Sequence, residues 1–136
     1  MHDIGHFTSE FGANAADDDI DNLHEEAGAR VLEGFFPSIV TDCVRYHVAA
    51  KRYLCATDPA YFEELSEASI VSLRLQGGPM SKEEVAIFNA NPNAKEIVRV
   101  RIWDDMGKVE GKITPDFDHF APMLQRVVDE YAKTKQ

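Results

Sequence analysis

Residues 97–107 read Ile97-Val98-Arg99-Val100-Arg101-Ile102-Trp103-Asp104-Asp105-Met106-Gly107, and the fold class turns on whether this stretch is strand or helix. Its β-branched content favours a strand. Its length and the lack of any partner strand elsewhere predict a helix. Working outward, Asn91-Pro92 breaks the chain before it, and Ser81 with Glu84 forms a capping box for a short helix through Phe88. Thr114-Pro115 opens a terminal helix with Phe117, Phe120, Met123, Leu124, Val127, Val128 and Tyr131 on its buried face. Towards the N-terminus, Asp21 or Asn22 caps a helix carrying Leu23, Ala27, Val31 and Leu32, with Glu25 and Glu26 in its first turn, where the helix dipole favours them. Gly34 and Pro37 close it. Pro37 starts a second helix through Ile39, Val40, Cys43, Val44 and His47. A third begins at Pro59 after Asp58 and runs through Tyr61, Phe62, Leu65, Ala68, Ile70 and Leu73 to Gly77-Gly78. The prediction is all-α, one domain over residues 1–136, with 1–20 a motif-bearing N-terminal segment and Asp17, Asp18 and Asp19 in a solvated loop.

With 136 residues, 14 Lys plus Arg against 24 Asp plus Glu, and a net charge of −10, the chain is acidic. That argues against a nucleic-acid backbone or an anionic membrane as the main partner, though a pocket within an acidic protein can be locally basic. Two cysteines, Cys43 and Cys55, make no disulfide scaffold. No apolar run approaches membrane-spanning length and no leader follows Met1, so the expected compartment is the cytoplasm.

Five histidines carry the chemistry: His2, His6, His24, His47 and His119. Taken singly, each has an ordinary reading. His47 suits a helix C-terminus, Asp104 a surface acid, and Lys51 and Lys108 solvated lysines. Together, His2-Asp3, His24, His47 and Asp104 lie on separate segments. Imidazoles and carboxylates converging from separate helices are how helical proteins build dinuclear metal sites. Asp104 lies among Ile102 and Trp103, where an unpaired carboxylate is costly. His119 takes the ordinary reading.

His2-Asp3-Ile4-Gly5-His6 resembles the signature of the HD-domain superfamily of helical metal-dependent phosphohydrolases and their relatives. More specific strings are His24-Glu25-Glu26-Ala27-Gly28-Ala29, His47-Val48-Ala49-Ala50-Lys51-Arg52-Tyr53-Leu54-Cys55, Gln76-Gly77-Gly78, and Trp103-Asp104-Asp105 with Lys108. These look like the HD-domain oxygenases that degrade organophosphonates, which are similar to inositol oxygenase in using a mixed-valent diiron centre. The resemblance runs from His2 to about residue 124.

It implies an HD-domain-like helical bundle, two iron ions (Fe2+/Fe3+), and dioxygen-dependent carbon–phosphorus cleavage of a small organophosphonate. It also implies the ligand set. His2, Asp3 and Asp104 hold one iron, and Asp3 bridges to a second completed by His24 and His47. Asp105 is the neighbouring alternative to Asp104. His6, Lys51, Ser72, Gln76 and Lys108 surround the phosphonate, with Ser69 the alternative to Ser72, and Arg52 either holds the pocket or is surface. Ammonium groups and hydrogen-bond donors are what a phosphonate dianion requires, and a neighbouring anion holds His6 cationic. Lys51 follows His47 by four residues, and Gln76 follows Ser72 by four, so each pair shares a helix face.

Relatives carry an N-terminal helical region before the His-Asp pair that supplies a further histidine ligand, together with a tyrosine and an acidic residue near the substrate. The chain as given opens one residue before His2. The expectation is a bundle truncated at the N-terminus, an exposed apolar face that two copies cover as a homodimer, and partial metal occupancy or another divalent metal. The first alternative is an HD-type metal-dependent phosphohydrolase, with metal-activated water as nucleophile. The second is a non-catalytic remnant of the family.

Overall fold

The computed structural model describes residues 1–7 and 24–136. The expected cap at Asp21 or Asn22, Leu23 and the Asp17–Asp19 loop lie outside the described residues. A short 3₁₀ turn, Ile4–Phe7, precedes α1 (His24–Leu32), α2 (Ser38–Arg45), α3 (His47–Thr57), α4 (Pro59–Glu63), α5 (Glu67–Leu75), α6 (Lys82–Asn89), α7 (Ala94–Met106) and α8 (Phe117–Thr134). No strand occurs among the described residues, and none of their helices is long and apolar enough to cross a membrane.

The stretch 97–107 is helical because packing overrides β-propensity. Ile97 is fully buried, and Arg101, one turn on, is buried beside it. On α3, Ala50 is also fully buried, and its small side chain lets α3 pack closely on α7 and on Phe88 of α6. Ala29, Leu32, Phe36 and Val44 form a second cluster, with Ile4, Leu124, Val127 and Val128 packed on it. One cluster thus ties α3, α6 and α7, and the other ties α1, α2 and α8.

Several helix limits differ from the sequence expectation. The helix expected from Pro37 through His47 is two: α2 ends at Arg45 and His47 opens α3. No Pro or Gly marks the break at Tyr46, so nothing local announces it. The helix expected from Pro59 to Leu73 is also two. Asp58 caps the first, and Ser66 caps the second by accepting from the Ser69 N–H at 3.2 Å. The Ser81–Glu84 capping box is present. The terminal helix is capped by Asp116 rather than opened at Thr114. Its middle packs as expected, but Phe117, Phe120 and Met123 are 67%, 42% and 54% exposed, because only that middle reaches the α1–α2 cluster. Val31 likewise faces solvent.

Candidate metal centre

Four segments converge. His2 and Asp3 stand just before the 3₁₀ turn, His24 opens α1, His47 opens α3, and Asp104 sits in the last turn of α7. Gly5 seats the N-terminal turn on α1. A Cβ there would lie 1.6 Å from the His24 carbonyl oxygen and 2.8 Å from the Gly28 nitrogen, an approach only glycine allows. Gly5→Ala is therefore expected to push His2 and Asp3 away from α1. Metal analysis should show the bound metal per chain falling sharply while circular dichroism keeps the helical signal. Full metal content in that variant would show that the turn is not what positions the ligands.

Asp3 faces two ways. Its Oδ2 is 3.1 Å from His2 Nε2, and that nitrogen is 3.1 Å from Asp104 Oδ1. Its Oδ1 is 3.5 Å from His24 Nε2 and 3.4 Å from His47 Nε2, which are themselves 3.1 Å apart. Ligand atoms of Asp3, His24 and His47 all lie within 4.8 Å of one another. The break at Tyr46 orients His47. Its Nδ1 lies 2.6 Å from the Val44 carbonyl oxygen at the end of α2. A carbonyl only accepts, so Nδ1 carries a proton and Nε2 faces the cluster. One proton at most fits between the two facing Nε2 atoms. The Nε2 of His2 is buried with no aligned hydrogen bond among the described residues, despite two carboxylate oxygens at 3.1 Å. These converging nitrogen and oxygen atoms fit divalent first-row metal ions, for which imidazole and carboxylate are suitable donors.

The charges follow. The His2 imidazole first, then those of His24 and His47, face the Asp3 carboxyl and hold it well below the usual carboxylate range. Asp104 and then Asp3 raise the His2 imidazole to about 9. Asp104 is lowered by His2 and by Arg101. Asp104, not Asp105, stands beside His2. Asp105 instead accepts from Tyr61 Oη at 2.6 Å and from Arg101 Nε at 3.2 Å. Burial pushes the Asp105 carboxyl up, but these two donors outweigh it and hold it below the usual range. Ile102 and Trp103 are exposed, so the expected apolar setting of Asp104 is absent. Ion pairing to His2, Arg101 and Lys108 satisfies it instead.

A cavity of about 190 Å³ opens beside these groups, lined by Asp3, His6, His24, His47, Val48, Lys51, Gln76, Arg101, Asp104 and Lys108. Lys51 is buried and donates to Ser72 Oγ at 2.6 Å and to Gln76 Oε1 at 3.2 Å. Burial, then the Arg101 and Lys108 charges, bring its ammonium down to about 8. The Ser69 hydroxyl faces Ser66 instead. Arg52 holds the Gly77-Gly78 turn: its Nε donates to the Gly78 carbonyl at 2.8 Å, and it pairs with Glu84. Lys108 is half exposed, 3.8 Å from Asp104 and 3.5 Å from Asp105. His6 stacks on His24 with ring centroids 3.9 Å apart. Burial and then His24 lower its pKa, the opposite of the expected cationic state. His119 packs against Phe120 on α8, away from the cavity.

Arg101 was missed by sequence reasoning. It is buried and pairs with Asp104 through Nη1 at 3.1 Å and with Asp105. Its signal is an arginine three and four residues before an acidic pair, inside a stretch dominated by apolar residues. With Lys51 and Lys108 it makes the cavity wall cationic within a chain of net charge −10.

No family model matches the chain. It is 67% identical over 131 residues to the [1-hydroxy-2-(trimethylamino)ethyl]phosphonate dioxygenase (glycine-betaine-forming) of Leisingera caerulea, covering 96% of this chain and 67% of that protein. It is 43% identical over 124 residues to the hydroxymethylphosphonate dioxygenase of Gimesia maris, covering 88% of this chain and 60% of that protein. It is 30% identical over 132 residues to the uncharacterized protein L432 of Acanthamoeba polyphaga mimivirus, covering 96% and 60%. The chain thus spans about two thirds of the length of the first relative and less of the others. With the His-Asp and His47–Cys55 motifs in an all-helical bundle and this similarity beside them, the chain belongs to the HD-domain phosphonate dioxygenase family.

Proposed function

We propose that the chain cleaves the carbon–phosphorus bond of a small 1-hydroxyphosphonate with dioxygen, at a centre of two iron ions. His2, Asp3 and Asp104 would hold one ion, and Asp3, His24 and His47 the other. The observation that carries this reading is the split of the two Asp3 oxygens between separate histidine sets, 3.1 Å on one side and 3.4–3.5 Å on the other. A bridging carboxylate requires that arrangement. Bound iron supplies the redox chemistry that no side chain here offers.

The residues around the centre do the rest. Lys51, backed by Ser72 and Gln76, offers a buried ammonium to the phosphonate oxygens. Lys108 adds a second positive charge at the cavity mouth, and His6 a ring nitrogen stacked over His24. Arg101 keeps Asp104 anionic and fixed. A single domain over residues 1–136, a cytoplasmic setting and self-association across the N-terminal face, where Phe7 is 87% exposed, belong to the same proposal.

The test is phosphate release from 1-hydroxy-2-(trimethylamino)ethylphosphonate and from hydroxymethylphosphonate, with iron(II) added, in air and under argon. Release that requires both iron and air is the expected result. Release that persists under argon assigns hydrolysis instead. Stoichiometric failure to bind any divalent metal assigns a non-catalytic module. Because Lys51 loses its charge near pH 8, the KM for the phosphonate should rise as pH climbs past that value.

A further inference from the structure

Lys51 and Arg52 are neighbours on α3, and both reach the same stretch at the end of α5. Lys51 Nζ donates to Ser72 Oγ at 2.6 Å and to Gln76 Oε1 at 3.2 Å. Arg52 Nε donates to the Gly78 carbonyl at 2.8 Å, and its Nη2 donates to both Glu84 carboxylate oxygens at 3.0 Å. The Arg52 carbonyl accepts from the Met80 N–H at 3.2 Å. Glu84 is itself held, because its Oε2 accepts from the Ser81 N–H at 2.8 Å in the α6 capping box. One arginine thus ties α3 to the end of α5 and the start of α6.

α5 needs such a tie. It buries only Leu73, so apolar packing gives it little hold. Its last turn runs into Gly77 and Gly78, with φ of +102° and +74°, in the left-handed region where glycine leaves the backbone most pliable. Gln76 immediately precedes this pair. Three directed hydrogen bonds from a planar guanidinium fix the turn where an ordinary surface pair would not. A lysine ammonium has three N–H donors. Two are spent on Ser72 and Gln76, so the places of those two side chains decide where the third points in the cavity that Lys51 and Gln76 line.

We infer that Arg52, clamped to Glu84, is a positioning residue for phosphonate binding: by fixing the Gly77-Gly78 turn it places Gln76, and Gln76 aims the Lys51 ammonium. The use in binding rests on the proposed function. The hold on Gln76 is a property of the chain itself.

The test pairs NMR relaxation of the Gln76 side-chain amide, in the full chain without ligand, with turnover of hydroxymethylphosphonate in air with iron(II). In the wild type the Gln76 side chain should be ordered. In Arg52→Met it should become mobile, and KM should rise roughly 10-fold, the lower end of what losing a hydrogen bond to a charged group costs. The kcat should hold, because a looser grip on the phosphonate weakens substrate and transition state alike. Arg52→Lys should recover part of both readouts, since one ammonium reaches the Gly78 carbonyl or Glu84 but not the two together. Should Arg52→Met fail to fold, Glu84→Gln decides instead: it removes the charge pair, keeps an acceptor for the Ser81 cap, and should move Gln76 order and KM the same way by less. A folded Arg52→Met with Gln76 still ordered and KM unchanged overturns the inference, as does a loss confined to kcat. A wild type that turns over no phosphonate sinks the proposed function, and the Gln76 measurement then still decides whether Arg52 holds the Lys51 acceptor.

Discussion

Asp3→Asn is expected to empty both halves of the proposed two-metal centre at once. Among the described residues, Asp3 reaches both histidine sets, through Oδ2 to His2 and Oδ1 to His24 and His47. An amide keeps one acceptor oxygen but turns an NH2 group towards the other set, so neither set regains an anionic bridge. Losing a mere outer partner of a ligand costs roughly 10–100-fold in metal affinity, and the loss here should exceed that. Asp3 is 56% exposed, so helical content should be unchanged. Asp105→Asn, one charge lost at a residue away from the histidines, should keep its metal. A variant Asp3→Asn with wild-type metal content would rule out the bridging role. The same comparison has a pH signature. At the proposed centre, metal would have to displace the proton that Asp104 and Asp3 hold on His2, whose pKa is about 9. Wild-type affinity should therefore climb as pH rises towards that value and level off above it.

Arg101→Met should give the largest loss of stability. Arg101 is 6% exposed, and its guanidinium joins Asp104, at 3.1 Å, to Asp105. Removing one partner from a buried ion pair leaves uncompensated charge and costs about 3–5 kcal/mol. His2 and Lys108 remain beside Asp104, and Tyr61 beside Asp105, which places the expected loss at the lower end. The sign of its pH dependence is fixed. Both aspartates have folded pKa values below the ordinary 3.8. Their pairing thus stabilises the wild type above that pH and is lost as pH falls through the folded values. The gap between wild type and variant in urea denaturation should be full at neutral pH and narrow in acid. Arg101→Lys should recover only part, since one ammonium cannot reproduce a fork that reaches two carboxylates. A neutral-pH gap near zero would show that Arg101 is not the strut described.

Particular residues show how far each level reached. The helix over 97–107 was readable because its length and lack of a strand partner outweighed its valines and isoleucines, and the Ser81–Glu84 box was readable because a cap is a local hydrogen-bond pattern. The break at Tyr46 was not. It contains no glycine or proline and no side-chain cap. The sequence therefore put His47 at the end of a helix, whereas it begins one, and the Val44 carbonyl freed by the break is what orients its ring. Arg101 was hidden for the same reason. Its role depends on which side of α7 faces α3, and a run of alternating apolar and basic residues does not say.

Helix content, the acidic surface and the residue types able to hold a metal were all determined along the chain, because caps, turns and side-chain chemistry act over a few residues. Which carboxylate oxygen meets which imidazole, the choice of Asp104 over Asp105, the neutral tendency of His6 and the burial of Lys51 were decided only by tertiary packing. Those depend on distances of a few ångströms between segments far apart in sequence, and on how much water the packing removes from each charge.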